Sequence, residues 1–187
     1  MKKKNRRELP DQELSPREKK VFTIIGIACL VLMLIVVVVT IVNSTDRKTI
    51  ADDFGITSEN VYEYITVDEV KEKKEENITF HVILCRSTTS KISSFLEITN
   101  EDAKKLNVNK IYILKLDGFT TSELRSVASL IGEKYDDIFT SSAKFIPSLV
   151  YFNNGEAEEK SGLGSYDNYS SAIKQYFENC GYTYQEE

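Results

Sequence analysis

The chain has 187 residues, 41% of them hydrophobic and 28% charged, with a formal net charge of −5; that is room for a membrane anchor and one domain of ordinary size. The charge is unevenly divided: residues 1–20 carry eight Lys or Arg against four Asp or Glu, and the remainder carries 16 basic against 25 acidic residues. An acidic body lacks the clustered cations that displace counterions from a phosphate backbone, so nucleic acid is excluded as a partner.

Residues 21–42 (VFTIIGIACLVLMLIVVVVTIV) contain no charged side chain. As a helix rising about 1.5 Å per residue, this run is expected to cover the roughly 30 Å of a bilayer core. It is longer than the apolar part of a cleaved signal peptide, and the Val-Asn-Ser-Thr-Asp that closes it is a poor cleavage site. Lys2, Lys3, Lys4, Arg6, Arg7, Arg17, Lys19 and Lys20 precede the run, whereas only Arg47 and Lys48 follow it closely. The excess of cations on the cytoplasmic side of a span therefore orients the chain. Residues 1–20 are expected as a cytoplasmic tail, 21–42 as a single-pass transmembrane helix and everything beyond as extracellular. Cys29 does not form a lipidation motif, because Gly26 stands where a lipobox has Leu and apolar residues continue past it.

Residues 43–60 read as a stalk with a short helix near Ile50 to Phe54, and 61–187 as the outer domain. The β-branched and aromatic run 61–65 (VYEYI) suits a strand. Thr66 and Glu69 make a T-x-x-E capping box that opens a helix to about Lys74. Residues 78–84 (ITFHVIL) and 110–116 (KIYILKL) are nearly unbroken apolar runs, the pattern of strands covered on both faces. Between them Thr89 or Ser90 can cap a helix carrying Ile92, Phe95, Leu96, Ile98 and Leu106 on one stripe. Thr120 and Glu123 repeat the capping box, for a helix expected to reach about Tyr135. Residues 148–152 (SLVYF) form a strand, Asn153-Asn154-Gly155 a hairpin turn, and a polar strand follows to about Ser161. Ser165 or Asp167 then caps a last helix with Tyr169, Ala172, Ile173, Tyr176 and Phe177 inward. The order β-α-β-α-β-α-β-β-α predicts an α/β domain, one mixed sheet with helices on both faces.

Particular residues carry a resemblance. Phe145-Ile146-Pro147-Ser148-Leu149-Val150-Tyr151-Phe152-Asn153-Asn154-Gly155 is similar to the thioredoxin segment in which an apolar residue and a cis-proline precede a strand and a glycine-bearing hairpin, and Gly162 stands where that family has a further glycine. Residues 64–91 resemble the membrane-associated bacteriocin transport accessory proteins of Gram-positive bacteria, with Cys85-Arg86-Ser87-Thr88 in place of their Gly-Arg-x-Thr. The resemblance spans roughly 61–179. It implies a thioredoxin-like domain with a cis Ile146-Pro147 bond and a groove for extended polypeptide, bordered by Arg86, Ser87, Thr88, Thr89, Ser90, Ile146, Pro147 and Gly162.

The redox motif of that family is missing. The two positions of a Cys-x-x-Cys fall on Thr89 and Ile92, or in a frame shifted by two on Ser87 and Ser90, and a hydroxyl does not perform thiol exchange. Cys85, with Cys180 as the one other thiol outside the apolar run, is the only candidate redox group. His81 is the single histidine and lies inside a strand pattern, so a packed histidine is expected rather than a base or ligand. Glu156, Glu158 and Glu159 read as a solvated strand. No cofactor is implied, since no Gly-rich phosphate loop is present, and no catalytic or metal-binding residue is assigned. Two functions compete: a polypeptide-binding accessory module for exported proteins that needs no thiols, and a thiol-disulfide enzyme acting through Cys85 alone or with Cys180.

Overall fold

In the computed structural model the described residues are 16–139, 146–162 and 169–185, and they divide into two compact units with the boundary between Val42 and Asn43. Helix α1 (Pro16–Phe54) begins in the first unit and ends in the second. In the first unit residues 21–37 are exposed and, Thr23 and Gly26 apart, carry apolar side chains on every side of the helix, Met33 at 72% and Ile24 at 67% among them. The side chains of residues 38–46 lie outside the described set, and among the described residues no helix is long and apolar enough to cross a membrane.

The second unit is a mixed five-stranded sheet, β1 (Tyr62–Tyr64), β2 (Phe80–Cys85), β3 (Ile111–Lys115), β4 (Ser148–Asn153) and β5 (Glu156–Gly162), in the order β1-β3-β2-β4-β5. Strands β1, β3 and β2 are parallel, and β4 and β5 are antiparallel additions. The two unbroken apolar runs are adjacent parallel strands, as their composition predicts. All six residues of β2 are buried, because the sheet separates two apolar layers. On one face Ile83, Cys85, Ile111 and Ile113 pack with Phe95 and Leu96 of α3 (Ile92–Lys105) and with Ile173, Tyr176 and Phe177 of α6 (Tyr169–Asn179). On the other, Val82, Leu84, Leu114 and Val150 pack with Val70 of α2 (Val67–Glu75), Leu124 and Val127 of α4 (Thr121–Leu130) and Ile138 of α5 (Tyr135–Phe139).

Both capping boxes form. Thr66 Oγ1 accepts from the Glu69 N–H while the Glu69 carboxylate accepts from the Thr66 N–H, and Thr120 and Glu123 do the same. Three expectations need correction. Residues 43–60 are not a stalk: Ile50, Ala51 and Phe54 belong to the core and Asn60 is buried. Asp53 further anchors this stretch, accepting from Lys115 Nζ (2.7 Å) and from the Tyr64 hydroxyl. Helix α3 is not capped by Thr89 or Ser90. Its N-cap is Lys91, at φ 63° and without a side-chain hydrogen bond, because residues 86–91 are spent in a turn closed by Thr89 N–H to Arg86 C=O and Ile92 N–H to Thr89 C=O. The helix expected to reach Tyr135 is two helices. The Glu133 N–H donates to the Ala128 C=O (2.9 Å) and the Gly132 N–H to the Ser129 C=O (3.1 Å), a paired closure that ends α4. The cap expected at Ser165 or Asp167 lies outside the described residues.

Asn100 joins the short edge strand to the body. Its Oδ1 accepts from the Val61 N–H (3.0 Å) and its Nδ2 donates to the Glu59 C=O (3.2 Å). Asn100→Ala would leave a buried N–H without a partner, so we expect a loss of about 2 kcal/mol, read as a lower denaturation midpoint with an unchanged slope. A midpoint equal to wild type would show that water replaces the amide.

Candidate functional site

The strand register brings the site residues named from the sequence to one end of the sheet. Leu84 pairs with Ser148, and Ser148 with Gly162. The turn of Arg86, Ser87, Thr88, Thr89 and Ser90 that leaves β2 therefore lies at the same end as Ile146 and Pro147, which enter β4. The Ile146–Pro147 peptide bond is cis. Pro147 and Ser148 are buried, Ile146, Arg86, Ser87 and Thr89 are half-buried, and Thr88 and Ser90 are exposed. Residues 140–145 and 163–168, which adjoin these positions on either side, lie outside the described residues. Ser148 Oγ is fully buried and has no hydrogen-bond partner among the described residues.

Sequence reasoning missed Asp117. The Leu116 N–H donates to the Cys85 C=O (2.8 Å), holding the end of β3 against the end of β2. That placement brings the Asp117 carboxylate to Ser87, whose N–H donates to Oδ2 at 2.9 Å and whose hydroxyl donates to Oδ1 at 3.0 Å. The two residues are 30 positions apart. The only local trace of Asp117 is the Asp-Gly pair closing a strand, which marks a turn and says nothing of a partner. Ser87 is thereby fixed as a structural donor.

Cys85 has no exposed surface. Burial pushes its thiol far above the ordinary range, and the Asp117 carboxylate pushes it the same way; Lys115 opposes them only in part. Cys180 is half-buried, and burial again is the main cause that raises its thiol, to about 12. Both cysteines are free. A reactive thiol needs the reverse setting, accessible and electropositive, with the thiolate favoured.

His81 is packed, as its strand pattern suggests. Its Nδ1 lies 2.8 Å from the Tyr176 hydroxyl and its Nε2 lies 3.0 Å from the Tyr182 hydroxyl, so both ring nitrogens are spent within the fold. Of the three hairpin glutamates, Glu158 accepts from Asn153 Nδ2 (3.0 Å) and Glu159 from Asn179 Nδ2 (3.1 Å). Among the described residues no group of three or more His, Cys, Asp or Glu side chains is placed to hold a metal. In comparison with known proteins, the chain matches no protein-family model and no curated protein.

Proposed function

We propose that this chain is a membrane-anchored, extracytoplasmic thioredoxin-like protein that holds extended polypeptide without dithiol chemistry. One observation carries the reading: of Thr89 and Ser87, the two positions at which an oxidoreductase would present its attacking thiol, neither holds a thiol, Ser87 is bound through both N–H and hydroxyl to Asp117, and the nearby thiol of Cys85 is enclosed and disfavoured as a thiolate. The strand order β1-β3-β2-β4-β5 and the proline entering β4 support the thioredoxin-like assignment. Main-chain pairing at such a groove requires backbone donors and acceptors only, so binding survives the loss of both thiols. The uncharged run 21–42 and the basic residues before it support the anchor and its orientation.

The full chain in detergent should bind a reduced, carboxymethylated, unfolded polypeptide in fluorescence anisotropy. Cys85→Ala should leave the affinity unchanged, whereas Thr88→Glu and Gly162→Glu should weaken it about tenfold. Native protein should reduce no insulin and should take up iodoacetamide at Cys85 only after denaturation. Rapid labelling of native Cys85, or capture of the polypeptide as a mixed disulfide, would replace the binding module with the thiol enzyme. Protease added to intact spheroplasts should digest the outer domain; protection there would reverse the orientation.

A further inference from the structure

Helices α2 and α4 border a cleft of about 580 Å³ lined by Lys71, Lys74, Ser122, Arg125, Ser126 and Ser129, with Leu130 at its margin. No carboxylate is among the described residues lining it. The arrangement follows from helix periodicity. Lys71 and Lys74 are three apart on α2, and on α4 the neighbours Arg125 and Ser126 each lie three or four residues from both Ser122 and Ser129, so each set shares a face. That face of α4 is exposed, while Leu124, Val127 and Ala128 fill the core behind it.

The three cations have different tasks. Lys74 Nζ donates to the Leu130 C=O at 2.6 Å and lies 5.6 Å from the centre of the Phe152 ring, which fastens it at the C-terminal end of α4. It satisfies a terminal carbonyl there and offsets the negative end of the helix dipole. Lys71 is exposed, and its contact with Asp68 (3.0 Å) is an exposed pair on the same helix, which a stronger anion can displace at little cost. Arg125 is exposed, with its guanidinium carbon 5.5 Å from the centre of the Tyr135 ring. A ring beside a guanidinium limits its rotamers and leaves less entropy to lose when the planar fork grips an oxyanion.

We infer that this cleft is a binding site for a phosphate group, gripped by the Arg125 fork and the Lys71 ammonium with the Ser122 and Ser129 hydroxyls as neutral donors; the Ser126 hydroxyl donates instead to the Ser122 C=O (3.2 Å). Arg provides two parallel hydrogen bonds, Lys a point charge, and hydroxyls adapt to the remaining oxygens. The residues after position 20 carry 25 acidic against 16 basic side chains. The body as a whole therefore repels anions, so attraction here is local and made of contacts rather than of the long-range field. The phosphate can be free in solution or part of a lipid headgroup. The inference does not depend on the groove beside Pro147, since no residue is common to both.

The test follows backbone amide shifts of the full chain in phosphatidylcholine nanodiscs, at constant ionic strength. One arm titrates inorganic phosphate against chloride; the other exchanges part of the lipid for phosphatidylglycerol. We expect saturable shifts confined to residues 71–75 and 121–130 in at least one arm, and the responding arm identifies the source. Arg125→Gln, at an exposed position, should weaken the response at least about tenfold, as expected for the loss of one charge-assisted contact, and Lys48→Gln should not. Shifts absent from both arms, or equal in wild type and Arg125→Gln, would overturn the proposal.

Discussion

Acidification from pH 7 to pH 4 is expected to remove roughly 3 kcal/mol of stability through one side chain, His81. Its ring is buried in the aromatic layer between Tyr151, Tyr176, Phe177 and Tyr182, and burial lowers its pKa from 6.5 to about 4. The folded state thus takes up the proton less readily than the unfolded chain does. For a folded pKa below the unfolded one, stability is complete above about pH 6.5 and is lost as the pH falls from there towards 4. Because the chain has a single histidine, its imidazole proton resonance can be followed without assignment. The native midpoint should lie below pH 5. In parallel, His81→Gln keeps one donor and one acceptor for the two tyrosines but removes the titration, so its stability should fall less steeply across this interval. Equal slopes in wild type and variant, or a native midpoint near 6.5, would refute the expectation.

The second large effect belongs to Gly155. The hairpin turn places Asn154 at φ 47° and Gly155 at φ 79°, the pair of positive angles that matches the twist of the flanking strands. A Cβ at Gly155 would also stand 2.4 Å from the Lys74 carbonyl oxygen and 3.3 Å from its carbon. That oxygen accepts from the Asn77 N–H as α2 ends, so it is not free to retreat. We expect Gly155→Ala to cost about 3 kcal/mol, combining left-handed strain with overpacking. Gly118 separates the two contributions, since it has the same φ of 79° and nothing within 4 Å of its would-be Cβ. Gly118→Ala should cost only about 1–2 kcal/mol, the strain alone. If the two variants proved equally stable, the contact with Lys74 would contribute nothing.

The centre of the fold was legible in the sequence because it rests on local patterns. Two short, nearly unbroken apolar runs rich in β-branched residues read as covered strands, and two T-x-x-E boxes fix the starts of α2 and α4 within a residue. The Asn-Asn-Gly turn likewise declares itself. What escaped depends on contacts between distant segments. Nothing near Ile50 or Phe54 says that the chain after the apolar run folds into the core; that follows from the space beside β1 and α3. Hydroxyls at Thr89 and Ser90 advertise a helix cap, yet the turn from Arg86 to Lys91 prevails, because Ser87 is already held by Asp117 from the end of β3. The candidate groove residues could be named from a resemblance, but their common position came from the pairing of Leu84 with Ser148 and of Ser148 with Gly162.

The two rims of the sheet bear on how copies of this domain meet one another. A strand at a rim has backbone groups that could template a neighbouring molecule. Here one rim is β1, only three residues long, with Glu63 at its middle bridged to Lys110 at 2.7 Å. The other is β5, which carries Glu156, Glu158, Glu159 and Lys160. Two β5 rims brought side by side would stack carboxylate on carboxylate, and two β1 rims would gain too few bonds to offset desolvating an ion pair. Concentrated on a crowded surface, the domains should remain separate particles instead of growing into a shared sheet.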